Sequence, residues 1–153
     1  MALYTGRVDD GIIHRNRGLI RYLTISRLSE SDKFGNKPRE DLWKHDKFDL
    51  FDVWYPKVAP DGKDVYAWYN GQLGWEGFSI RYLKKITSDE NFPFLLDLSK
   101  RIVEADLESE GKKGVVLQCV CTDVEHCHRK LLADYIKGLI KNRHGYGIRL
   151  KHI

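Results

Sequence analysis

One nearly uninterrupted apolar segment constrains the fold more than any other part of the sequence. Residues 115–121 read VVLQCVC, in which Gln118 is the single polar side chain. A strand that is covered on both faces has this composition, whereas a strand with one face in water alternates apolar and polar residues. Apolar residues then recur at helical spacing from about Val124 to Asn142. The segment therefore predicts a central, parallel strand that is followed by a helix.

Other segments of the chain predict strands and helices around this unit. Strands are expected at residues 3–8, 19–28 and 147–153, with extended chain at residues 49–60. Helices are expected at residues 75–86, from Ser88 or Asp89 to about Glu110, and as a short helix after Asp61 or Asp64. The polar residues 29–46 are expected to form a long loop. A strand, a crossover helix and a further strand is the unit of parallel sheets. We therefore predict an α/β fold, a three-layer sandwich with a mainly parallel central sheet, Rossmann-like in its arrangement.

Length and composition predict one domain in the cytoplasm. The chain has 153 residues, of which 42% are hydrophobic and 31% charged, and one domain of this size (residues 1–153) has enough chain to bury a core. No apolar run approaches the roughly 18 residues that a membrane span needs. The first residues, MALYTGRVDDG, lack the basic start and the long apolar stretch of a signal peptide. We therefore expect a cytoplasmic protein with no membrane partner.

The three cysteines form one cluster in the sequence, because all of them lie between residues 119 and 127. A secreted disulfide framework spreads an even number of cysteines along the chain. In a reducing compartment, clustered cysteines more often mark a metal site, a reactive thiol or buried packing. The cluster therefore identifies the segment in which to look for chemistry.

The candidate site lies where the apolar strand passes into its helix. In parallel sheets, ligands bind at the carboxyl ends of strands beside helix N-termini. Alternation along a strand puts Cys119 and Cys121 on one face, and Thr122 or Asp123 can cap the following helix. Cys127, His128 and Arg129 then fall in or near the first helical turn. There, backbone N–H groups and the helix dipole favour an anion or a thiolate. We predict Cys127 and His128 as catalytic residues, and as ligand-binding residues Arg129, Cys119, Cys121 and Thr122.

Four interpretations of this cluster stay open at this point. The least favoured is a disulfide-like pair between Cys119 and Cys121, because extended residues two apart lie about 7 Å from each other, at the limit of what a disulfide permits. Buried cysteine often behaves as a small hydrophobic residue, and this is favoured for Cys119 in its apolar strand. A metal site would use Cys119, Cys121, Cys127 and His128, whose ligand atoms suit zinc, although the spacing is unlike that of the usual zinc knuckles. Anion binding would use the helix N-terminus and the planar guanidinium of Arg129, which suits phosphate or carboxylate.

The stretch VVLQCVCTDVEHCHRKLLADYIKGL resembles the C-terminal block of the family catalogued as domain of unknown function 488. The segments LYTGRV, TISRL, YPKVAP and WEGFSIRYLKKI resemble the blocks that precede it in that family. The resemblance implies a small cytosolic α/β domain of bacteria, archaea or their viruses, and no particular reaction. It carries the family's Cys-His-Arg motif to Cys127, His128 and Arg129, and an upstream cysteine to Cys119. Cys121 stands where relatives often have an acidic residue.

The expected function is the binding or processing of a small phosphorylated, nucleotide-like ligand at this Cys/His/Arg site. The first alternative is a nucleic-acid-binding accessory protein that uses a basic face, formed by Lys137, Lys141, Arg143, Arg149 and Lys151. The second is a non-catalytic domain with a Cys/His metal site. A set of aromatic residues can stack on a base, although core packing is favoured for them: Trp54, Tyr55, Trp68, Tyr69 and Trp75. The sequence identifies no cofactor and no oligomeric state.

Overall fold

The main sheet of the described structure has five strands, all of them parallel. The computed structural model describes residues 2–7, 18–25, 31–32, 35–36, 51–119, 123–145 and 147–153. Within these residues, the strands are β1 (Ala2–Arg7), β2 (Leu19–Leu23), β3 (Ser31–Asp32), β4 (Gly35–Asn36), β5 (Val53–Trp54), β6 (Gly114–Cys119) and β7 (Arg149–His152). The α-helices are α1 (Gly62–Tyr69), α2 (Trp75–Ile86), α3 (Phe92–Glu108) and α4 (His128–His144), and 3-10 turns occupy Pro56–Val58 and Val124–His126.

Strand β6 lies at the centre of the sheet, as its composition predicts. The strand order is β5-β2-β6-β1-β7, and Val115 of β6 aligns with Ile20 of β2 on one side and with Leu3 of β1 on the other. Every residue from Val115 to Cys119 is buried, including Gln118. The predictions of a central parallel strand and of an α/β fold are therefore confirmed.

The four α-helices in the described part of the chain pack in one core against one face of the sheet. The chain crosses the sheet in the same direction when it passes from β5 to β6 and from β6 to β7. Because both crossovers are right-handed, their helices lie on the same face of the sheet. Leu117 of the sheet, Leu98 of α3 and Leu132 of α4 belong to this core. On the opposite face, Leu23 and Val116 are also fully buried. Both faces of the central strands are thus covered, as a three-layer arrangement requires.

Several elements differ from those that the sequence predicts. Helix α3 begins at Phe92 after Asn91, because Ser88 and Asn91 instead bond to the carbonyl oxygen of Lys85 at the end of α2. Strand β2 ends at Leu23, earlier than predicted. The segment predicted as a loop at residues 29–46 contains the antiparallel pair β3–β4, whose two-residue strands are too short to produce an alternating pattern. None of the helices in the described part of the chain has the length and apolar character of a membrane span.

Candidate functional site

The carboxyl ends of β2 and β6 bring together the residues of the candidate site. Leu23 pairs with Gln118 in the sheet, so the next residues, Thr24 and Cys119, lie side by side at the same edge. The backbone N–H and the side-chain hydroxyl of Thr24 both donate to the carbonyl oxygen of Gln118, at 3.0 and 2.9 Å. This edge is where parallel sheets bind ligands. Helix α4 begins beside it.

Thr24 fixes the orientation of the His128 ring. The carbonyl oxygen of Thr24 lies 2.8 Å from Nε2 of His128, and its hydroxyl oxygen lies 3.1 Å from the same nitrogen. A carbonyl oxygen only accepts, and the hydroxyl hydrogen is already donated to Gln118, so Nε2 carries a hydrogen and is the donor. In the neutral imidazole, Nδ1 is then the acceptor nitrogen.

The acceptor nitrogen of His128 faces two thiols. Nδ1 lies 3.8 Å from Sγ of Cys119 and 3.9 Å from Sγ of Cys127. The three groups have ligand atoms within 4.8 Å of one another, and both cysteines are reduced. Only 2% of Cys119, 1% of Cys127 and 5% of His128 is exposed. The arrangement permits proton transfer between either thiol and one imidazole, and it also matches the ligand types of a zinc site.

Tyr82 of α2 forms the wall behind the imidazole. Its ring packs edge-on against the ring of His128 at 5.5 Å between centroids, and its hydroxyl donates to the carbonyl oxygen of Val58 at 2.6 Å. Burial, followed by negative charge on Cys127 and Cys119, raises the pKa of Tyr82 well above its ordinary value. Tyr82 is therefore a neutral phenol that holds the imidazole ring in place.

The start of α4 differs from the predicted one. Residues Val124–His126 form a 3-10 turn, in which Asp123 Oδ1 accepts a hydrogen bond from the N–H of Glu125 at 3.0 Å. Cys127 is extended (φ −137°, ψ 140°) and is the N-cap residue of α4, without a capping bond from its side chain. The prediction that the helix runs from Val124 was wrong, because the Asp123 side chain closes a separate turn. The prediction that Cys127 lies at the helix start is confirmed.

Arg129 is buried at the second position of α4, with 2% of its surface exposed. The neighbouring exposed groups are engaged in pairs of their own: Lys130 Nζ bonds to Glu125 Oε2 at 2.6 Å, and His126 Nδ1 lies 2.7 Å from Asp123 Oδ2. The hydrogen bond from His126 lowers the pKa of Asp123, and that from Lys130 lowers the pKa of Glu125. The environment of the Arg129 guanidinium, buried at a helix N-terminus, therefore differs from that of the neighbouring cations, which contact solvent.

Of the predicted site residues, the structure brings Cys119, Cys127 and His128 together, and it places Arg129 directly after them in α4. Cys121 and Thr122 lie outside the described residues. Sequence reasoning missed Thr24 and Tyr82 as parts of the site. Thr24, like Tyr22 and Ser26, alternates with apolar residues along the predicted strand, and Tyr82 lies in the apolar stripe of its helix. Neither pattern distinguishes these residues from ones with no role at a site.

Aromatic rings run from the surface to His128. Trp68 and Trp75 flank the half-exposed His126 at 5.7 and 5.3 Å, and Trp75 stacks on Phe78 at 5.1 Å. Phe78 in turn stacks near Tyr82 at 6.4 Å.

The predicted aromatic set is partly buried. Trp68 and Trp75 pack against the main core and Tyr55 is buried in it, as the packing interpretation expects, whereas Tyr69 is exposed. The five cations of the predicted basic face are all exposed.

A separate cleft of about 310 Å³ opens at the edge strand β5. Trp54, Phe94, Asp97 and Arg101 are among the residues that line it. None of the predicted site residues lines this cleft. Two of its three charged groups, Asp97 and Arg101, pair with each other at 2.9 Å, and the third is Lys57. The cluster of Cys119, Cys127 and His128 therefore lies apart from this cleft, at the β2–β6 edge.

The family model described as the Active DUF488-N3 subclade matches residues 33–139. The match spans more than two thirds of the 153 residues. The chain belongs to this family. No curated protein and no solved structure matches it. The DUF488-N3 match includes Cys119, Cys127, His128 and Arg129, whereas Thr24, which orients the imidazole, precedes it.

The raised pKa of Tyr82 predicts a loss of stability at high pH. The unfolded phenol ionises near its ordinary value of 10.0, whereas the folded one stays protonated, so above that pH the folded state binds more protons and the free energy of unfolding falls. One such group contributes up to about 1.4 kcal/mol per pH unit. Urea denaturation between about pH 8 and pH 11 should therefore show a shallower decline for Tyr82→Phe than for the wild type.

Part of the decline should remain in Tyr82→Phe, because burial and the hydrogen bond to Asp97 also raise the pKa of Tyr55. Tyr66→Phe is the matched control, since it removes a hydroxyl group from a tyrosine that is 68% exposed. Equal slopes for the wild type and Tyr82→Phe would show that the Tyr82 hydroxyl is not held in a buried, uncharged state.

Proposed function

We propose that this chain is an enzyme that uses a cysteine thiol, activated by His128, on a phosphorylated, nucleotide-like ligand. The observation that carries the proposal is the direction of the imidazole: Nε2 is bonded to the Thr24 carbonyl, and Nδ1 faces the two sulfur atoms. A nucleophile, a base and a third group that orients the base are the components of nucleophilic catalysis. The word Active in the description of the matched subclade also supports catalysis.

The chemistry begins with transfer of the thiol proton to His128. The S–H bond breaks, an N–H bond forms at Nδ1, and the resulting imidazolium stays beside the thiolate that it has created. The carbonyl oxygen of Thr24 accepts the Nε2 hydrogen in both protonation states, so it also stabilises the imidazolium. Tyr82 prevents the ring from rotating away, because it packs edge-on against it.

Cys127 is the better nucleophile of the two cysteines. It is the N-cap residue of the 17-residue helix α4, and the backbone N–H groups and dipole at a helix N-terminus stabilise a thiolate. Cys119 ends a central strand and has no such neighbour from its own element. Because Cys127 is buried in this conformation, a ligand reaches its sulfur through a local opening at the start of α4.

The anionic part of the ligand is assigned to Arg129 and the first turn of α4. The N–H groups of that turn have no carbonyl partner within the helix, and such groups bind phosphate readily. Arg129 lies two residues after the nucleophile, where an acidic residue would be expected from the helix dipole alone. Its planar fork adds charge-assisted and often bidentate hydrogen bonds to a phosphate. A phosphorylated ligand would thereby be held with its reacting atom near Cys127.

A second candidate is a metal centre formed by the same residues, which the convergence of three ligand atoms within 4.8 Å favours. Two thiolates and one imidazole suit Zn²⁺. Metal-bound histidines usually donate their other N–H group to a carbonyl or carboxylate, as His128 does to Thr24. Three ligands would leave a fourth position, for which Cys121 is the predicted candidate from the sequence.

Thiol alkylation tests the proposed role of His128. With iodoacetamide near neutral pH, Cys127 should react faster than Cys119 and Cys121, as resolved by peptide mass spectrometry. His128→Gln retains a donor for the Thr24 carbonyl and lacks the base, so it should slow the alkylation of Cys127 by about 10²-fold, the lower range for general-base catalysis. His126→Gln is the matched control, because His126 is exposed and bonds to Asp123, and it should leave the rate unchanged.

The same experiment separates the two candidates. If Cys127 and Cys119 are alkylated together, and only after a chelator has removed one equivalent of metal from the purified protein, the metal centre replaces the thiol nucleophile. Faster alkylation of Cys119 or Cys121 than of Cys127 in metal-free protein, or an unchanged rate in His128→Gln, would contradict the thiol enzyme.

Binding of adenosine monophosphate and of inorganic phosphate, measured by calorimetry, tests the role of Arg129. Hydrogen bonds to charged groups contribute roughly 1.5–3 kcal/mol, so Arg129→Ala should weaken binding by about 10- to 150-fold. Arg129→Lys should restore only part of the affinity, since lysine lacks the planar fork. Lys130→Ala is the control, because Lys130 bonds to Glu125 instead. Equal losses in Lys130→Ala and Arg129→Ala, with both proteins folded, would indicate a general charge effect and contradict this assignment.

A further inference from the structure

We infer that Cys119 and Cys127 form a reversible disulfide, and that this pair is a site of oxidative modification. The two sulfur atoms lie within 4.8 Å of one another, and both residues are reduced. A disulfide needs a sulfur–sulfur distance of about 2.0 Å, so the sulfur atoms must move towards each other by less than 3 Å. Cys119 is the last residue of β6 and Cys127 is the N-cap residue of α4, so each lies at the end of a regular element.

His128 serves both cysteines, because its Nδ1 is nearly equidistant from the two sulfur atoms. The imidazole can therefore accept a proton first from one thiol and then from the other. A thiol next to a base and a second thiol is the arrangement of redox-sensitive cysteines, in which the second one resolves the oxidised form of the first. The pair thus has both the proximity and the base that disulfide formation requires.

Hydrogen peroxide is the oxidant class that fits this buried pair, because it is small and uncharged. The Cys127 thiolate attacks one peroxide oxygen: an S–O bond forms, the O–O bond breaks, and the leaving hydroxide takes the proton from His128 to become water. Cys119 then gives its proton to His128, and its thiolate attacks the sulfur of the sulfenic acid. The S–S bond forms, the S–O bond breaks, and the leaving hydroxide takes the proton from His128 to become the second water. Two thiols are oxidised and one peroxide is reduced to two waters.

Formation of this bond would switch off the site. The disulfide removes the nucleophile and leaves Nδ1 of His128 without a thiol proton to accept, and a reducing thiol restores both. This consequence for activity rests on the proposed function, whereas the disulfide itself does not. The chemistry requires only that the two sulfur atoms meet and that peroxide reaches them.

The test uses the full chain, treated with a small excess of hydrogen peroxide near neutral pH and then with catalase. The folded protein should lose the mass of two hydrogen atoms, and peptide mapping without reductant should find Cys119 joined to Cys127. Dithiothreitol should restore the original mass and the alkylation of Cys127. Cys121→Ser should behave in the same way. In Cys119→Ser and in Cys127→Ser that peptide pair should be absent, and oxygen atoms should be added to the remaining thiols.

His128→Gln should slow the disulfide and not prevent it, since the base assists and the sulfur atoms still meet. Addition of oxygen atoms to the folded wild-type protein, a bridge that includes Cys121, or an unchanged mass would each overturn the inference. Those results would leave the phosphate-binding and alkylation measurements untouched, because neither requires the two cysteines to bond. Conversely, an alkylation rate of Cys127 that is the same in His128→Gln and in the wild type would refute the proposed enzyme. A mapped Cys119–Cys127 disulfide would still support the inference made here.

Discussion

The hydrogen bond from His128 Nε2 to the Thr24 carbonyl oxygen is the interaction on which the site depends. It determines which ring nitrogen carries hydrogen and therefore which nitrogen faces the thiols. Without it, the imidazole could present either nitrogen to Cys119 and Cys127, and only one of the two forms accepts a thiol proton. A backbone carbonyl suits this purpose because its position is set by the sheet and not by a side-chain rotamer. The site is thus oriented by the fold itself.

The parallel sheet provides that orientation through burial. Thr24 follows β2, and the Thr24 backbone and side chain both bond to Gln118 of β6, so the two strand ends cannot shift independently. Apolar side chains on both faces hold these strands in the interior, where water competes little for polar contacts. The same burial keeps Tyr82 uncharged behind His128. The two thiols and the imidazole are therefore supported by buried residues of the sheet and of α2.

The local part of the site could be predicted from the sequence, and the long-range part could not. The apolar run up to Cys119, followed within ten residues by Cys127 and His128, predicts a strand-to-helix junction without knowledge of the fold. Thr24 is separated from His128 by 104 residues, and Tyr82 belongs to another helix, so no spacing in the sequence links them to it. The start of α4 was also misplaced, because helical periodicity does not distinguish a 3-10 turn closed by an aspartate from the first turn of a helix.

Nitrogen NMR of His128 shows which ring nitrogen carries the hydrogen, with the ring signals assigned by comparison with His128→Gln. In the neutral imidazole we expect the hydrogen on Nε2 and an unprotonated Nδ1, because a carbonyl oxygen cannot donate to Nε2. Thr24→Val should keep this tautomer, since the backbone carbonyl remains and only the hydroxyl is lost. A wild-type spectrum with hydrogen on Nδ1 and none on Nε2 would contradict the account, because His128 could then neither bond to Thr24 as described nor accept a proton from either thiol.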